Sequence, residues 1–182
     1  MGAENFTGLI LEAIDFAADK HRYQRRKGSD ASPYINHPIE VARLLWSIGG
    51  VRNPNILAAA ILHDTLEDTD AAPAELSTRF GASVLALVRE LTDDKTLPQA
   101  ERKRLQVEHA PHLSFNARLI KIADKTSNVR EVGETPPVDW SRQRRSDYLD
   151  WADEVIDRIR GTNEALERHY DDVMKEARAK LK

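Results

Sequence analysis

The polar residues that stand out in this chain are those that interrupt apolar runs. His63-Asp64 follows Ile56-Leu57-Ala58-Ala59-Ala60-Ile61-Leu62, a segment apolar on every side. An imidazole and a carboxylate buried there without partners would carry a heavy desolvation cost. A metal ion removes that cost by taking both as ligands. The chain continues Thr65-Leu66-Glu67-Asp68. On a continuing helix, Glu67 falls four residues after His63 and Asp68 four after Asp64, which stacks two more carboxylates on the same face. His37, in Tyr34-Ile35-Asn36-His37-Pro38, and Asp124, after Leu119-Ile120-Lys121-Ile122-Ala123, interrupt apolar surroundings in the same way. Two imidazoles and two carboxylates suit Mn²⁺, Fe²⁺ or Zn²⁺ and leave coordination positions open for water and substrate. Such an ion lowers the pKa of a bound water. A carboxylate of the Glu67/Asp68 pair can then orient or deprotonate that water, and a protonated one can serve a leaving oxygen. The residues alone do not say which does which.

The elements that must position these groups read as helices. Leu9/Ile10, Ala13/Ile14, Ala17 and His21 form one apolar stripe at helical spacing. Ile39 to Ile48 predicts a second helix, stopped by Gly49-Gly50. Pro54 suits the first turn of the next, and its all-round apolar character places that helix at the centre of a bundle. Further helices are predicted over about 74–80, 83–92, 98–109, 116–130, 141–160 and 163–181. Gly161 reads as a stop, and Thr162-Asn163 as the following N-cap. Asp93-Asp94-Lys95-Thr96 and Glu134-Thr135-Pro136-Pro137 read as loops. No segment alternates with period two, and only the 25–35 stretch has room for a short β-hairpin. The expected fold is all-α, one helical bundle spanning residues 1–182.

Composition removes whole classes of function. A chain of 182 residues with 41% hydrophobic and 31% charged residues has the balance of an ordinary globular domain, not of a disordered one. The absence of cysteine excludes disulfides, zinc ribbons, thiol nucleophiles and iron–sulfur clusters, and fits a cytoplasmic location. The net charge of −3 does not point to nucleic acid, and no apolar run is long enough to span a membrane. No P-loop, dinucleotide-binding glycine pattern or nucleophile elbow occurs. His109 and His112 are a weak pair for a second metal, because Pro111 between them opposes a continuous helix. His21 is expected to pack between helices, with a contact behind the metal ligands as the alternative, and His169 to lie on the surface. Arg102-Lys103-Arg104 reads as a solvated helix face.

The spaced set of His37, His63-Asp64 and Asp124 resembles the HD-domain metal-dependent phosphohydrolases. The closer resemblance is to the RelA/SpoT-type hydrolase domain and its stand-alone small alarmone hydrolases of the Mesh1 type. It is carried by Ala17-Ala18-Asp19-Lys20-His21-Arg22, Arg25-Arg26-Lys27, Pro33-Tyr34-Ile35-Asn36-His37-Pro38, Leu62-His63-Asp64-Thr65-Leu66-Glu67-Asp68-Thr69 and Thr92-Asp93-Asp94-Lys95-Thr96-Leu97-Pro98. It continues through Glu101-Arg102-Lys103-Arg104-Leu105-Gln106, Ala123-Asp124-Lys125, Asn128 and Gly161-Thr162-Asn163. The resemblance implies an HD-type bundle in which His37, His63, Asp64 and Asp124 hold one divalent ion, usually Mn²⁺. It implies that Glu67 and Asp68 are the catalytic pair, and that Arg26 and Lys27 are a basic pair near the purine and phosphate end. Asn128 becomes a polar substrate contact, and Arg144 and Tyr148 face the nucleotide.

The activity implied is removal of pyrophosphate from the ribose 3′ position of (p)ppGpp, giving GDP or GTP. Such a substrate is strongly anionic. Arg25, Lys95, Lys125 and Arg130 are therefore further candidates for phosphate contacts, while Arg142 and Arg145 read as surface charges. Tyr34 and Tyr148 can flank a base or simply pack. Two departures from the family pattern, Thr126-Ser127 in place of bulkier residues and Gln99 in place of Lys, bear on substrate preference. The alternatives are a phosphatase acting on NADPH or another 2′- or 3′-phosphorylated nucleotide, and a catalytically silent nucleotide-binding module. The expected partner is the small nucleotide alone, with neither nucleic acid nor membrane, on a monomer or homodimer. The signatures begin near residue 17 and run almost to the end, so no (p)ppGpp synthetase segment is expected within these residues.

Overall fold

In the computed structural model, which describes residues 3–181, the chain folds into helices α1 (Ala3–Lys20), α2 (Asn36–Ser47), α3 (Pro54–Leu62), α4 (Thr65–Asp68), α5 (Pro73–Phe80) and α6 (Ala82–Leu91). These are followed by α7 (Gln99–His109), a short 3₁₀ turn (Ala110–His112), α8 (Phe115–Glu134), α9 (Arg142–Asp157) and α10 (Glu164–Ala179). Every residue of α3 from Ile56 to Leu62 is buried. That helix packs against α1, α2, α6 and α8, so the most apolar segment of the chain is the axis of the bundle.

Local chemistry explains where the helices begin. Asn53 accepts from the Asn55 N–H just ahead of Pro54. Ser114, Ser141 and Asn163 cap α8, α9 and α10 with their side-chain oxygens. Asn163 also donates to the Gly49 carbonyl at 3.0 Å and so ties α10 to the end of α2. Helix α8 runs to Glu134, four residues past the predicted end. It passes through Gly133, whose missing side chain lets α10 approach: a Cβ there would lie 2.8 Å from Ala177 Cα. Helix α9 ends at Asp157, short of the predicted 160, and the chain turns at Gly161 with φ +85°.

Two local details bear on the site. The 25–35 stretch forms no hairpin strands; it closes through one antiparallel bridge, Arg25 to Pro33. The helix carrying His63 also does not continue unbroken through Asp64. His63 Nδ1 donates to the Ala60 carbonyl at 2.8 Å and Thr65 Oγ1 to the Leu62 carbonyl at 2.7 Å. These side chains compete for carbonyls that an unbroken helix would use. The backbone turns at His63-Asp64 and restarts as α4, in which the Asp68 N–H reaches back to the Asp64 carbonyl at 2.8 Å and the Thr69 N–H to the Thr65 carbonyl at 3.2 Å. No helix among the described residues is long and apolar enough to cross a membrane.

Candidate metal centre and adjoining cleft

Three elements deliver the predicted ligands to one point. His37 comes from the first turn of α2, His63 and Asp64 from the turn between α3 and α4, and Asp124 from the middle of α8. His37 Nε2 lies 3.7 Å from Asp64 Oδ2 and 3.2 Å from Asp124 Oδ1. His63 Nε2 lies 3.0 Å and 3.8 Å from the same two oxygens. Ligand atoms of His37, His63 and Asp124 all fall within 4.8 Å of one another, and all three residues are buried.

The donor set fits a divalent cation. His63 donates its Nδ1–H to a backbone carbonyl, so its Nε2 is the nitrogen left to face an ion, and that atom is buried without a hydrogen-bond partner. Burial alone would push the His63 imidazole down. Asp64 and Asp124 outweigh it and hold the ring up at about 10. Burial would raise Asp64, but the His63 imidazole beside it holds the carboxyl well below its ordinary range. Two carboxylates and two imidazoles at these separations have the donor types that suit a hard-to-borderline metal and would leave positions open. The carboxylates are themselves held. Tyr34 donates to Asp64 Oδ2 at 2.6 Å, and Asn128 Nδ2 to Asp124 Oδ1 at 2.6 Å.

The acidic pair sits on α4, immediately beyond the ligand turn. Glu67 Oε2 accepts the Asp93 N–H at 2.9 Å, and Arg102 Nη1 lies 3.5 Å from Glu67 Oε1. Burial pushes the Glu67 carboxyl up. Asp68 accepts from Gln24 Nε2 at 3.2 Å and is paired with Lys95.

A cleft of about 270 Å³ lies beside this centre, and its lining includes Tyr34 and Asn128, which bond to Asp64 and Asp124, together with Asp68. Its walls hold Arg25, Arg26, Lys27, Gln99, Lys103, Trp140, Arg144 and Tyr148. The rings of Trp140 and Tyr148 lie 5.4 Å apart, Arg144 stacks over Trp140 at 4.7 Å, and the Lys103 amine lies 5.2 Å from the Tyr148 ring centre. Burial, then the neighbouring Arg144, push the Lys103 amine down. An anion in the cleft would relieve that crowding of positive charge.

Of the predicted contacts, Arg26, Lys27, Asn128, Arg144 and Tyr148 line the cleft, whereas Lys95 is drawn to Asp68 and Glu67. Lys27 is exposed, but the Arg26 guanidinium is held by Glu131 at 2.6 and 2.9 Å and donates to Asn128 at 2.9 Å. Lys125 is buried, 3.5 Å from Asp124 Oδ2 and over the Trp151 ring. Arg130 pairs with Glu40 away from the cleft. Gln99 lines the cleft, whereas Thr126 and Ser127 do not. His109 and His112 are exposed and join no metal-type group among the described residues.

Several residues take up roles other than the first expected of them. The triplet Arg102-Lys103-Arg104 is no uniform solvated face. Arg102 reaches Glu67, Lys103 lines the cleft, and only Arg104 turns outward to Glu101 and Glu108. The four-residue spacings Gln99/Lys103 and Arg102/Gln106 mark those inward faces. His21 is buried with its ring stacked 4.7 Å from that of Tyr34, so it backs the residue that holds Asp64. His169 is half-buried, 3.0 Å from Arg130, rather than on the open surface.

Known proteins are similar to this chain. Residues 13–148 match the HD domain family. The chain is 53% identical over 163 residues to a Xenopus tropicalis protein named guanosine-3′,5′-bis(diphosphate) 3′-pyrophosphohydrolase MESH1, covering 90% of this chain and 91% of that one. It is 51% identical over 176 residues to the human protein of the same name, covering 97% of each. A solved structure described as a metazoan ortholog of SpoT that hydrolyzes ppGpp superposes with a TM-score of 0.89 at 44% identity, over 92% of this chain and 94% of that one. The chain therefore belongs to the HD-domain family, in the RelA/SpoT-type branch that includes the Mesh1 hydrolases.

Proposed function

We propose that this chain is a Mn²⁺-dependent (p)ppGpp 3′-pyrophosphohydrolase, releasing pyrophosphate and leaving GDP or GTP. The observation that carries the reading is the convergence of His37, His63, Asp64 and Asp124 next to a basic, aromatic cleft whose lining residues Tyr34 and Asn128 hydrogen-bond to Asp64 and Asp124. Relatives about half identical to it are named guanosine-3′,5′-bis(diphosphate) 3′-pyrophosphohydrolases, which supports the reaction class.

His37, His63, Asp64 and Asp124 would hold the ion, which when bound supplies Lewis acidity to a phosphoryl oxygen and to water. The rest is the work of the chain. Tyr148 and Trp140 offer a stacking wall for the purine, with Arg144 over it. Lys27 and Lys103 offer positive charge to the phosphates. In the reaction, a water oxygen bonds to the phosphorus attached to ribose O3′. The P–O3′ bond breaks, O3′ takes a proton, and pyrophosphate leaves. Glu67, raised by burial, is suited to carry a proton between water and O3′. Asp68, with its charge balanced by Lys95, is suited to orient the water.

The test is a product assay of the full chain with Mn²⁺ on ppGpp, pppGpp and NADPH. Pyrophosphate from the first two, lost in Asp64→Ala together with bound metal, is the expected result. Orthophosphate as the only product from every nucleotide would overturn it.

A further inference from the structure

The two buried histidines are oriented by different means. His63 gives its Nδ1–H to a backbone carbonyl, whereas His37 depends on side chains. His37 Nδ1 lies 3.0 Å from Ser127 Oγ, and Ser127 donates to Glu40 Oε2 at 2.6 Å. A hydroxyl has a single hydrogen, and a carboxylate can only accept. The serine hydrogen is therefore committed to Glu40, and the serine oxygen must accept the Nδ1–H of His37. One tautomer satisfies this chain of contacts. It leaves the Nε2 lone pair facing Asp64 Oδ2 and Asp124 Oδ1.

The placement is reciprocal. Glu40 lies three residues after His37 on α2, and Ser127 three residues after Asp124 on α8. Each helix that brings a candidate ligand also brings a member of the relay. Ser127 is buried, and Glu40 is anchored from behind by Arg130, whose Nη2 lies 3.0 Å from His169 on α10. Ser127 and Glu40 line a separate pocket together with His37 and do not line the cleft.

The geometry points to Ser127 and Glu40 as positioning residues that lock His37 in its ligating tautomer. The inference rests on the reading of His37 as a metal ligand. Outer hydrogen-bond partners of metal-binding histidines typically govern affinity by about 10–100-fold. Ser127→Ala removes the acceptor for Nδ1–H. Glu40→Gln keeps the shape but lets its amide donate to the serine oxygen, which frees the serine hydrogen to turn toward Nδ1. Ser127→Thr keeps the hydroxyl.

The experiment is a Mn²⁺ titration of the full chain followed by electron paramagnetic resonance, with His37→Ala as the reference. Ser127→Ala is expected to weaken Mn²⁺ by roughly tenfold or more, and Glu40→Gln by a smaller factor. Ser127→Thr is expected to recover most of the wild-type affinity. A second readout is the His37 Nδ1–H proton resonance of the Zn²⁺-loaded protein, visible in the wild type and Ser127→Thr and lost to exchange in Ser127→Ala. A merely structural serine would leave that proton in place. Wild-type affinity in both Ser127→Ala and Glu40→Gln, with binding abolished in His37→Ala, overturns the positioning role. Wild-type affinity in His37→Ala itself overturns the ligand reading instead.

Discussion

The Tyr34 hydroxyl donates to Asp64 Oδ2 at 2.6 Å while its ring stacks on that of His21. The two functions separate by mutation. Tyr34→Phe keeps the ring and its packing but removes the donor that orients a candidate metal ligand. Mn²⁺ affinity should fall by roughly tenfold, while stability should change by no more than about 1.5 kcal/mol. A metal titration beside a thermal melt checks both. An unchanged affinity would show that Asp64 needs no help from Tyr34.

Adjacent cations in the cleft should behave differently. Arg26 and Glu131 are largely buried, at 10% and 18% side-chain exposure, and the Arg26 guanidinium contacts both Glu131 oxygens. Arg26→Ala leaves Glu131 unpaired and should cost roughly 3 kcal/mol, a fall of roughly 6–12 °C in Tm for a chain of this size. Lys27 is exposed on the cleft wall. Lys27→Ala should leave Tm within about 2 °C of wild type and raise KM for the nucleotide with kcat little changed. Melting curves and steady-state kinetics on the two variants read this split directly.

Glu67 should show a conflict between stability and turnover. Burial raises its carboxyl above the ordinary 4.5. The folded chain therefore binds this proton more tightly than the unfolded chain does. At neutral pH the folded state carries a charge that costs it stability, and the cost disappears as the pH falls through the raised pKa and below the unfolded value. In metal-free protein, Glu67→Gln should melt higher than wild type at pH 7, and the gap should close toward pH 4. The same variant should lose about 10²-fold or more in kcat with Mn²⁺ present. A destabilised Glu67→Gln at pH 7 would assign the residue a structural role through Asp93 instead.

How far this site is legible from residues alone depends on how strongly each side chain conflicts with its surroundings. His63, Asp64 and Asp124 stand out because burial among Leu, Ile and Ala is costly without a partner. Their convergence follows from the bundle, whose apolar α3 has to lie at the centre. The break at His63-Asp64 is harder to see. It arises from two side-chain hydrogen bonds to carbonyls that helical periodicity assigns to the backbone. The roles of Arg102 and Lys103 are hidden for another reason. In a run of three basic residues charge marks no face, and only the spacing to Gln99 and Gln106 separates the inward pair from Arg104. Ser127 and Glu40 lie 87 residues apart, and nothing local in either segment announces that they meet behind His37.

The candidate ligands come from α2, the α3–α4 turn and α8, so a bound ion ties together three segments that the unfolded chain leaves apart. Binding to the folded chain alone must therefore raise its stability. With Mn²⁺ at about 100 times its Kd, the gain is about 2.7 kcal/mol, and Tm should rise by roughly 5–10 °C. A chelator should reverse the shift completely. Asp124→Asn weakens a ligand but keeps the side chain's size and its place beside Asn128, so its metal-free Tm should move far less than its response to Mn²⁺. Differential scanning calorimetry at matched ionic strength, with Mg²⁺ as the harder comparison ion, separates specific binding from screening. A wild-type Tm that responds equally to Mn²⁺ and to an equivalent rise in ionic strength would remove the metal centre from this site.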